Sequence, residues 1–166
     1  MKKILTLFCL TALLLTSCNN DDDFDNDTFA RTFEVTRTFN AANNFADEAV
    51  VPNNVEVFDA DVALVFILDP IRSAAEGGDV WEPLPKTFNF APGEFARFSF
   101  NFIFDERTNK ASIEFVLESD DLTSLNSDIT DNQVFRVVIV PSSFASDSKV
   151  DLNDLNAVKS ALNLEF

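Results

Sequence analysis

A stretch of alternating phenylalanines constrains the fold of this chain more than any other feature. Every second residue from Phe98 to Phe104 is a phenylalanine, and Ser99, Asn101 and Ile103 lie between them. A period of two is typical of a β-strand with one buried face, because successive side chains of a strand point to opposite faces. Each ring buries about 150–250 Å². We therefore expect these four rings to form the centre of a hydrophobic core.

Further β-rich segments recur at short intervals along the chain. The segments with alternating or continuous apolar residues are 31–39, 53–58 (the weakest), 61–69, 86–90, 111–118 and 134–140. The continuous run in 61–69 predicts a central strand covered on both faces. Between Ile71 and Pro85 the pattern breaks, which we interpret as a long connection followed by an irregular sheet edge. Several short strands with turn residues between them predict an all-β fold, an antiparallel β-sandwich.

The period changes near the C-terminus. At helical spacing, the apolar residues Leu152, Leu155, Val158 and Leu162 fall on one face. Asp151 is placed to cap a helix here, and Asp154 falls in its first turn, where a carboxylate suits the helix dipole. We expect a short C-terminal α-helix that packs over an open end of the sandwich.

The N-terminus carries an export signal. Two lysines precede the apolar run Ile4–Leu15, which has the length of a signal h-region and is too short to span a bilayer. The residues Leu15–Cys18 fit the lipobox of bacterial lipoproteins, which predicts cleavage between Ser17 and Cys18 and a diacylglyceryl group on Cys18. An ordinary secretory signal or a membrane helix is the alternative, but the cysteine and the short run favour the lipobox.

This signal divides the chain into three parts. Residues 1–17 form the signal peptide, residues 18–30 an acidic tether, and residues 31–166 a β-sandwich domain with a C-terminal helix. The tether holds five aspartates between Cys18 and Thr28, so it is too polar to bury and its like charges favour an extended chain. At about 3.3–3.6 Å per residue it reaches up to about 40 Å.

The acidic run with an aromatic residue after the cysteine, Cys18–Asp25, resembles the export signal of surface lipoproteins in Bacteroidetes. This resemblance implies a lipid-anchored protein of the outer membrane, displayed on the cell surface; a plain spacer in the periplasm is the alternative. The segments Val80–Pro85 and Asn132–Val138 and the final helix also resemble small Phe-rich lipoproteins of flavobacteria. That second resemblance implies a location and a fold, and no chemistry.

Charge and residue usage exclude several classes of function. Without residues 1–17, and so without Lys2 and Lys3, the chain keeps 10 basic and 28 acidic side chains, a formal charge of −18. This charge disfavours nucleic acid as a partner and opposes self-association, so we expect a monomeric domain. The chain has no histidine, and its only cysteines are Cys9 and Cys18. Histidine-based catalysis is thereby excluded, and no P-loop or GxGxxG motif occurs. If Cys9 is removed with the signal and Cys18 carries lipid, no free catalytic thiol remains. We expect no enzymatic activity.

Two features are candidates for a binding site. Asp147, Asp151 and Asp154 precede or open the C-terminal helix and faintly resemble a calcium-binding loop, although the glycine position holds Ser148. A capped helix after a polar loop is the favoured alternative. Trp81 is the only tryptophan and is either a platform for a sugar or peptide or a half-buried residue of a sheet edge. Apart from calcium, no cofactor is indicated.

These observations predict a lipid-anchored envelope or surface lipoprotein with a non-catalytic binding or accessory role. Its lipid binds the membrane, and its other partner is an unidentified protein or glycan. The alternative is a calcium-dependent adhesion or glycan-binding module that uses the acidic loops and Trp81.

Overall fold

The computed structural model describes residues 31–90, 92–147 and 149–164. Two antiparallel four-stranded sheets pack face to face, which confirms the all-β sandwich predicted from the sequence. The strands are β1 (Arg31–Arg37), β2 (Ala46–Val50), β3 (Val62–Leu68), β4 (Trp81–Pro83), β5 (Lys86–Asn89), β6 (Phe95–Asp105), β7 (Lys110–Glu118) and β8 (Gln133–Val140). The helices are α1 (Pro70–Glu76), α2 (Ser127–Thr130), α3 (Ser142–Asp147) and α4 (Leu155–Ala161), and a single 3₁₀ turn spans Ala41–Asn43.

The first sheet has the order β1-β8-β3-β4, and the second has the order β2-β7-β6-β5. Consecutive strands β1 and β2 therefore lie at the edges of different sheets, and Arg37 connects them. Its guanidinium lies 3.4 Å from the Asp47 carboxylate and donates a hydrogen bond to the Glu48 carbonyl oxygen. This ion pair accounts for an arginine on the inner face of β1, which is otherwise apolar.

Phenylalanine rings from both sheets meet at the centre of the sandwich. Phe98 makes edge-to-face contacts with three other rings, with centroid distances of 5.4 Å to Phe39, 5.8 Å to Phe135 and 6.1 Å to Phe88. Phe115 stacks on Phe135 at 4.4 Å. These rings are buried, so the core depends on the packing of aromatic side chains between two sheets.

The alternating phenylalanines on β6 do share one face, but the prediction that all four form the centre of the core is wrong. Phe98 is fully buried, whereas Phe100, Phe102 and Phe104 are only partly buried against the core. The reason is that β5 pairs with β6 only over Phe95–Phe98. Beyond Phe98, β6 is the edge strand of its sheet, so its later rings are covered from one side only.

Helix α4 covers the outer face of the first sheet. Leu155 and Val158 are buried in a second cluster with Phe66, Val138 and Val140, separate from the core between the sheets. The predicted helix is therefore confirmed, but it does not pack over an open end of the sandwich. The outward side chains of β3 and β8 are apolar, and the helix removes them from water.

The order of secondary structure differs from the prediction in three places. Residues 53–58 form no strand, and the edge strand before β3 is instead β2, at Ala46–Val50. Residues 71–85 do form a connection followed by a short strand at the sheet edge, β4, but the connection contains helix α1, which the prediction lacked. The predicted strands at 31–39, 61–69, 86–90, 111–118 and 134–140 are present, and β3 is central and covered on both faces.

Candidate functional site

The predicted cleavage and lipidation site lies outside the described residues. Ser17, Cys18 and the whole acidic tether precede Arg31, where the described part of the chain begins. The interpretation of residues 1–30 therefore remains a prediction from the sequence. Within residues 31–90, 92–147 and 149–164, no helix combines the length and the hydropathy required to cross a membrane.

Trp81 lies beside a surface groove between α1, β4 and the start of α4, which we name the Trp81 groove. Its volume is about 420 Å³. The lining residues are Arg72, Glu76, Asp79, Val80, Trp81, Glu82, Pro83, Asn153, Asp154, Leu155 and Asn156. Four of these side chains are carboxylates and one is a guanidinium, so the groove is acidic.

Local capping explains why α1 forms one wall of this groove. The Asp69 carboxylate accepts hydrogen bonds of 2.9 Å from the backbone N–H groups of Ile71 and Arg72. Pro70 occupies the first helical position, where its missing N–H costs nothing. At the other end Gly77 takes φ 70, a left-handed conformation that glycine adopts without strain. The helix is therefore fixed at both ends.

An ion-pair network holds α1 against β4 and β5. Arg72 donates to Glu76 at 2.9 Å and also to Glu82, and these hydrogen bonds raise the pKa of the Arg72 guanidinium above its usual value. Lys86 lies 3.4 Å from Glu82 and 3.8 Å from the buried carboxylate of Asp69. Each of these charges has an opposite charge beside it, so the network fixes the wall of the groove.

The indole ring of Trp81 is partly buried on an edge strand. It packs on the outer cluster beneath α4, and the Arg136 guanidinium lies 3.9 Å from its centroid. Arg136 also donates hydrogen bonds to Glu34 on β1. The row Glu34–Arg136–Trp81 thus crosses the first sheet from one edge strand to the other. Arg136 covers one face of the indole and is not a lining residue of the groove.

The three aspartates proposed as calcium ligands have different surroundings. Asp154 is the N-cap of α4 and accepts from the backbone N–H groups of Asn156 and Ala157 at 2.9 and 3.3 Å. The helix cap is therefore Asp154, not Asp151 as predicted. Asp151 accepts from the backbone N–H of Asn153 at 3.0 Å and stabilises the preceding turn. The side chain of Asp147 is outside the description.

The structure brings together two of the predicted site residues, Trp81 and Asp154, in one groove. Asp151 is not part of its lining. Among the described side chains, no three acidic, cysteine or histidine groups cluster in a way that could hold a metal ion. Sequence reasoning missed Arg72 and Glu76, although the pair Asp69-Pro70 and the later Gly77 are helix start and stop signals that predict α1.

The groove can accept hydrogen bonds from ligand hydroxyl or amine groups. Its acceptors are carboxylate oxygens and the side-chain amides of Asn153 and Asn156, which also donate. Beside them, Trp81 supplies an apolar ring.

Comparison of the chain with protein-family models, with curated proteins and with solved structures finds no match.

Proposed function

We propose that this chain is a lipid-anchored envelope lipoprotein of the outer membrane, displayed on the cell surface, whose β-sandwich has a non-catalytic binding or accessory role. The observation that carries the proposal is the lipobox Leu15–Cys18, followed directly by an acidic tether. Acyl chains contribute about 0.8 kcal/mol per buried methylene, and two or more chains make a durable anchor. A tether of this charge keeps the domain away from anionic headgroups.

The residues of the domain support a binding role over catalysis. The sequence contains no histidine, which removes the side chain most often used as a general acid or base near neutral pH. In the Trp81 groove, Arg72 and Glu82 are held in ion pairs. Such paired charges hold the wall of the groove in one arrangement, which suits recognition.

Substitution of the predicted lipidation site tests the anchor. The Cys18→Ala variant is expected to leave the membrane fraction, because no thiol remains to accept the diacylglyceryl group. Cys9→Ala is the matched control, since Cys9 lies in the apolar run of the signal, and it should remain lipidated and membrane-bound. Mass spectrometry of the mature N-terminus reads out the modification directly. An unmodified Cys18 in the wild type would overturn the proposal.

Surface display is tested by protease treatment of intact cells. We expect degradation of the wild-type domain without lysis, and protection when Asp21, Asp22 and Asp23 are all replaced by asparagine. Lipidation should be the same in both proteins. Protection of the wild type in intact cells would place the domain in the periplasm and would contradict surface display.

A second candidate function is a calcium-dependent adhesion or glycan-binding module. The observation that favours it is that Trp81 and Asp154, selected separately from the sequence, line one groove. The groove combines an apolar ring with carboxylate and amide groups, which suits a sugar ring and its hydroxyls.

The single tryptophan makes this second candidate directly measurable, because all indole fluorescence reports on the Trp81 groove. Binding should change the emission saturably and raise the melting temperature, since a ligand of the native state adds RT ln(1 + [L]/Kd) to stability. Asn156→Ala should weaken the response, and Asn54→Ala, outside the groove, should not. No response to millimolar calcium with an oligosaccharide panel would remove this candidate.

A further inference from the structure

A second groove lies at the other side of α1, between this helix, the end of β3 and the start of β8. We name it the α1–β8 groove. Its volume is about 600 Å³. The apolar residues of its lining are Leu68, Pro70, Ile71, Ala74 and Val134. The lining is completed by Asp128 in α2, Asp131 at the C-terminal end of α2, Asn132 and Gln133.

The apolar part of this groove is accessible. Ile71 lies in the first turn of α1 and is 53% exposed, although a fully apolar side chain gains by leaving water. The position is fixed, because the Asp69 cap and Pro70 set the start of the helix. Ile71 therefore presents a preformed apolar contact that no described part of the chain covers.

The polar part of the groove carries negative charge without a partner cation. Among the described residues, no lysine or arginine forms an ion pair with Asp128 or Asp131, and both residues are exposed. Arg72, next to Ile71, is turned to Glu76 and Glu82 in the other groove. Gln133 fixes the position of this segment by donating to the carbonyl oxygens of Asp128 and Asp131, both at 2.9 Å.

The groove lies at the end of the first sheet opposite to Arg31, where the described part of the chain begins. β1 starts at Arg31, which pairs with Ile139 near the end of β8, whereas the groove is at the start of β8. At about 3.3 Å per residue, the eight residues of β8 separate the two ends by about 20 Å. A domain held at residue 31 thus presents the groove on the side away from its anchor.

We propose that the α1–β8 groove binds a segment of a protein partner in which an apolar side chain is flanked by lysine or arginine. The apolar side chain packs against Ile71, Ala74 and Val134, and the flanking cations lie beside Asp128 and Asp131. A second copy of the chain is disfavoured, because it carries a net charge of −16 and brings the same carboxylates. The inference rests on the binding role proposed above and specifies the chemistry of the partner.

The test uses the full chain in a non-ionic detergent and the peptide Lys-Lys-Leu-Lys-Lys, blocked at both ends, in 150 mM salt. Amide chemical shifts measured by NMR give both the affinity and the place of binding. We expect saturable shifts at Ile71, Ala74 and Val134. Peptides with glutamate in place of lysine, or serine in place of leucine, should bind far more weakly.

Paired variants separate the groove from the general negative field of the protein. The double variant Asp128→Asn with Asp131→Asn should raise Kd about twofold to thirtyfold, since each exposed ion pair contributes about 0.2–1 kcal/mol. Ile71→Gln should have an effect of the same size. The matched control, Asp59→Asn with Glu106→Gln, removes the same charge from other exposed positions and should change Kd by less than about 1.5-fold, because charges beyond about 8 Å are screened.

Three results would overturn the inference: equal losses in the groove and control variants, shifts outside the groove, or no saturable binding. Shifts at Ile71 that depend on protein concentration without peptide would assign the groove to self-association instead. The outcome is independent of the anchor, because Cys18→Ala removes the lipid and leaves the groove intact. Peptide binding by that variant would separate a failure of the proposed lipidation from a failure of this inference.

Discussion

At the scale of single residues, Phe98 lies at the centre of the packing between the two sheets. It is fully buried and contacts rings from both sheets. Phe98→Ala should lower the free energy of unfolding by about 3–5 kcal/mol, since the substitution leaves a cavity that close packing cannot fill. Chemical denaturation measures the loss.

Phe104→Ala is the matched control for this prediction. It removes the same ring from the same face of β6, but at a position that is only partly buried. A loss well below that of Phe98→Ala is expected. Equal losses would contradict the assignment of Phe98 to the centre and of Phe104 to the edge.

Asp105 makes the turn between β6 and β7 sensitive to pH. The backbone N–H of Arg107 and the hydroxyl of Thr108 donate to its carboxylate and lower its pKa below the ordinary value of 3.8. A lowered folded-state pKa stabilises the protein above the unfolded-state value, and this contribution disappears as the pH falls through the folded-state value. The wild type should therefore exceed Asp105→Asn in stability at pH 6, and the difference should shrink below pH 4. A constant difference from pH 6 to pH 2 would contradict this account.

At the scale of elements, α4 depends on one capping residue. Asp154 satisfies two backbone N–H groups at the start of the helix, which in turn buries Leu155 and Val158. Asp154→Ala should cost about 1 kcal/mol of unfolding free energy, whereas Asp154→Asn should cost little, because its amide oxygen accepts the same bonds. Thermal or chemical unfolding of the three proteins provides the comparison. Equal losses in both variants would show that charge, and not capping, stabilises this end.

The period of the apolar residues predicted most of the strands, but β2 and α1 were missed for different physical reasons. β2 has the sequence Ala-Asp-Glu-Ala-Val, in which only the valine has high strand propensity, and it forms because β7 offers a pairing edge. No local pattern contains that information. α1 was missed although its Asp-Pro start and glycine stop are in the sequence, because the helix is short and has no buried residue, so no apolar stripe marks it.

The candidate site was only partly predictable for a related reason. Trp81 and Asp154 were selected from residue type and local pattern, and their meeting in one groove depends on how α4 packs across the first sheet. The α1–β8 groove was not predicted, since Ile71 and Asp131 are 60 residues apart. Contacts between residues so far apart in the sequence arise from tertiary packing, and no short segment of the sequence reveals them.

At the scale of the whole molecule, the imbalance of charge opposes folding. The chain has 28 acidic and 12 basic side chains, and the compact state brings the excess negative charges together. Raising sodium chloride from 10 to 150 mM shortens the screening length from about 30 to about 8 Å. This screening weakens the repulsion more than it weakens the few ion pairs, so the melting temperature should rise.

The expected rise in melting temperature can be estimated, and it can be compared with a control. A gain of about 1 kcal/mol corresponds to about 4 °C for a domain of this length, which differential scanning calorimetry resolves. Calcium chloride at equal ionic strength is the control, because screening alone predicts a comparable increase, while a specific calcium site would add a further, saturable one. The same increase in sodium chloride should weaken binding of the basic peptide to the α1–β8 groove, because salt screens the attraction between the peptide lysines and the carboxylates of the groove. A melting temperature that falls with added salt would show that ion pairs such as Arg72–Glu82 stabilise the fold by more than the net repulsion destabilises it.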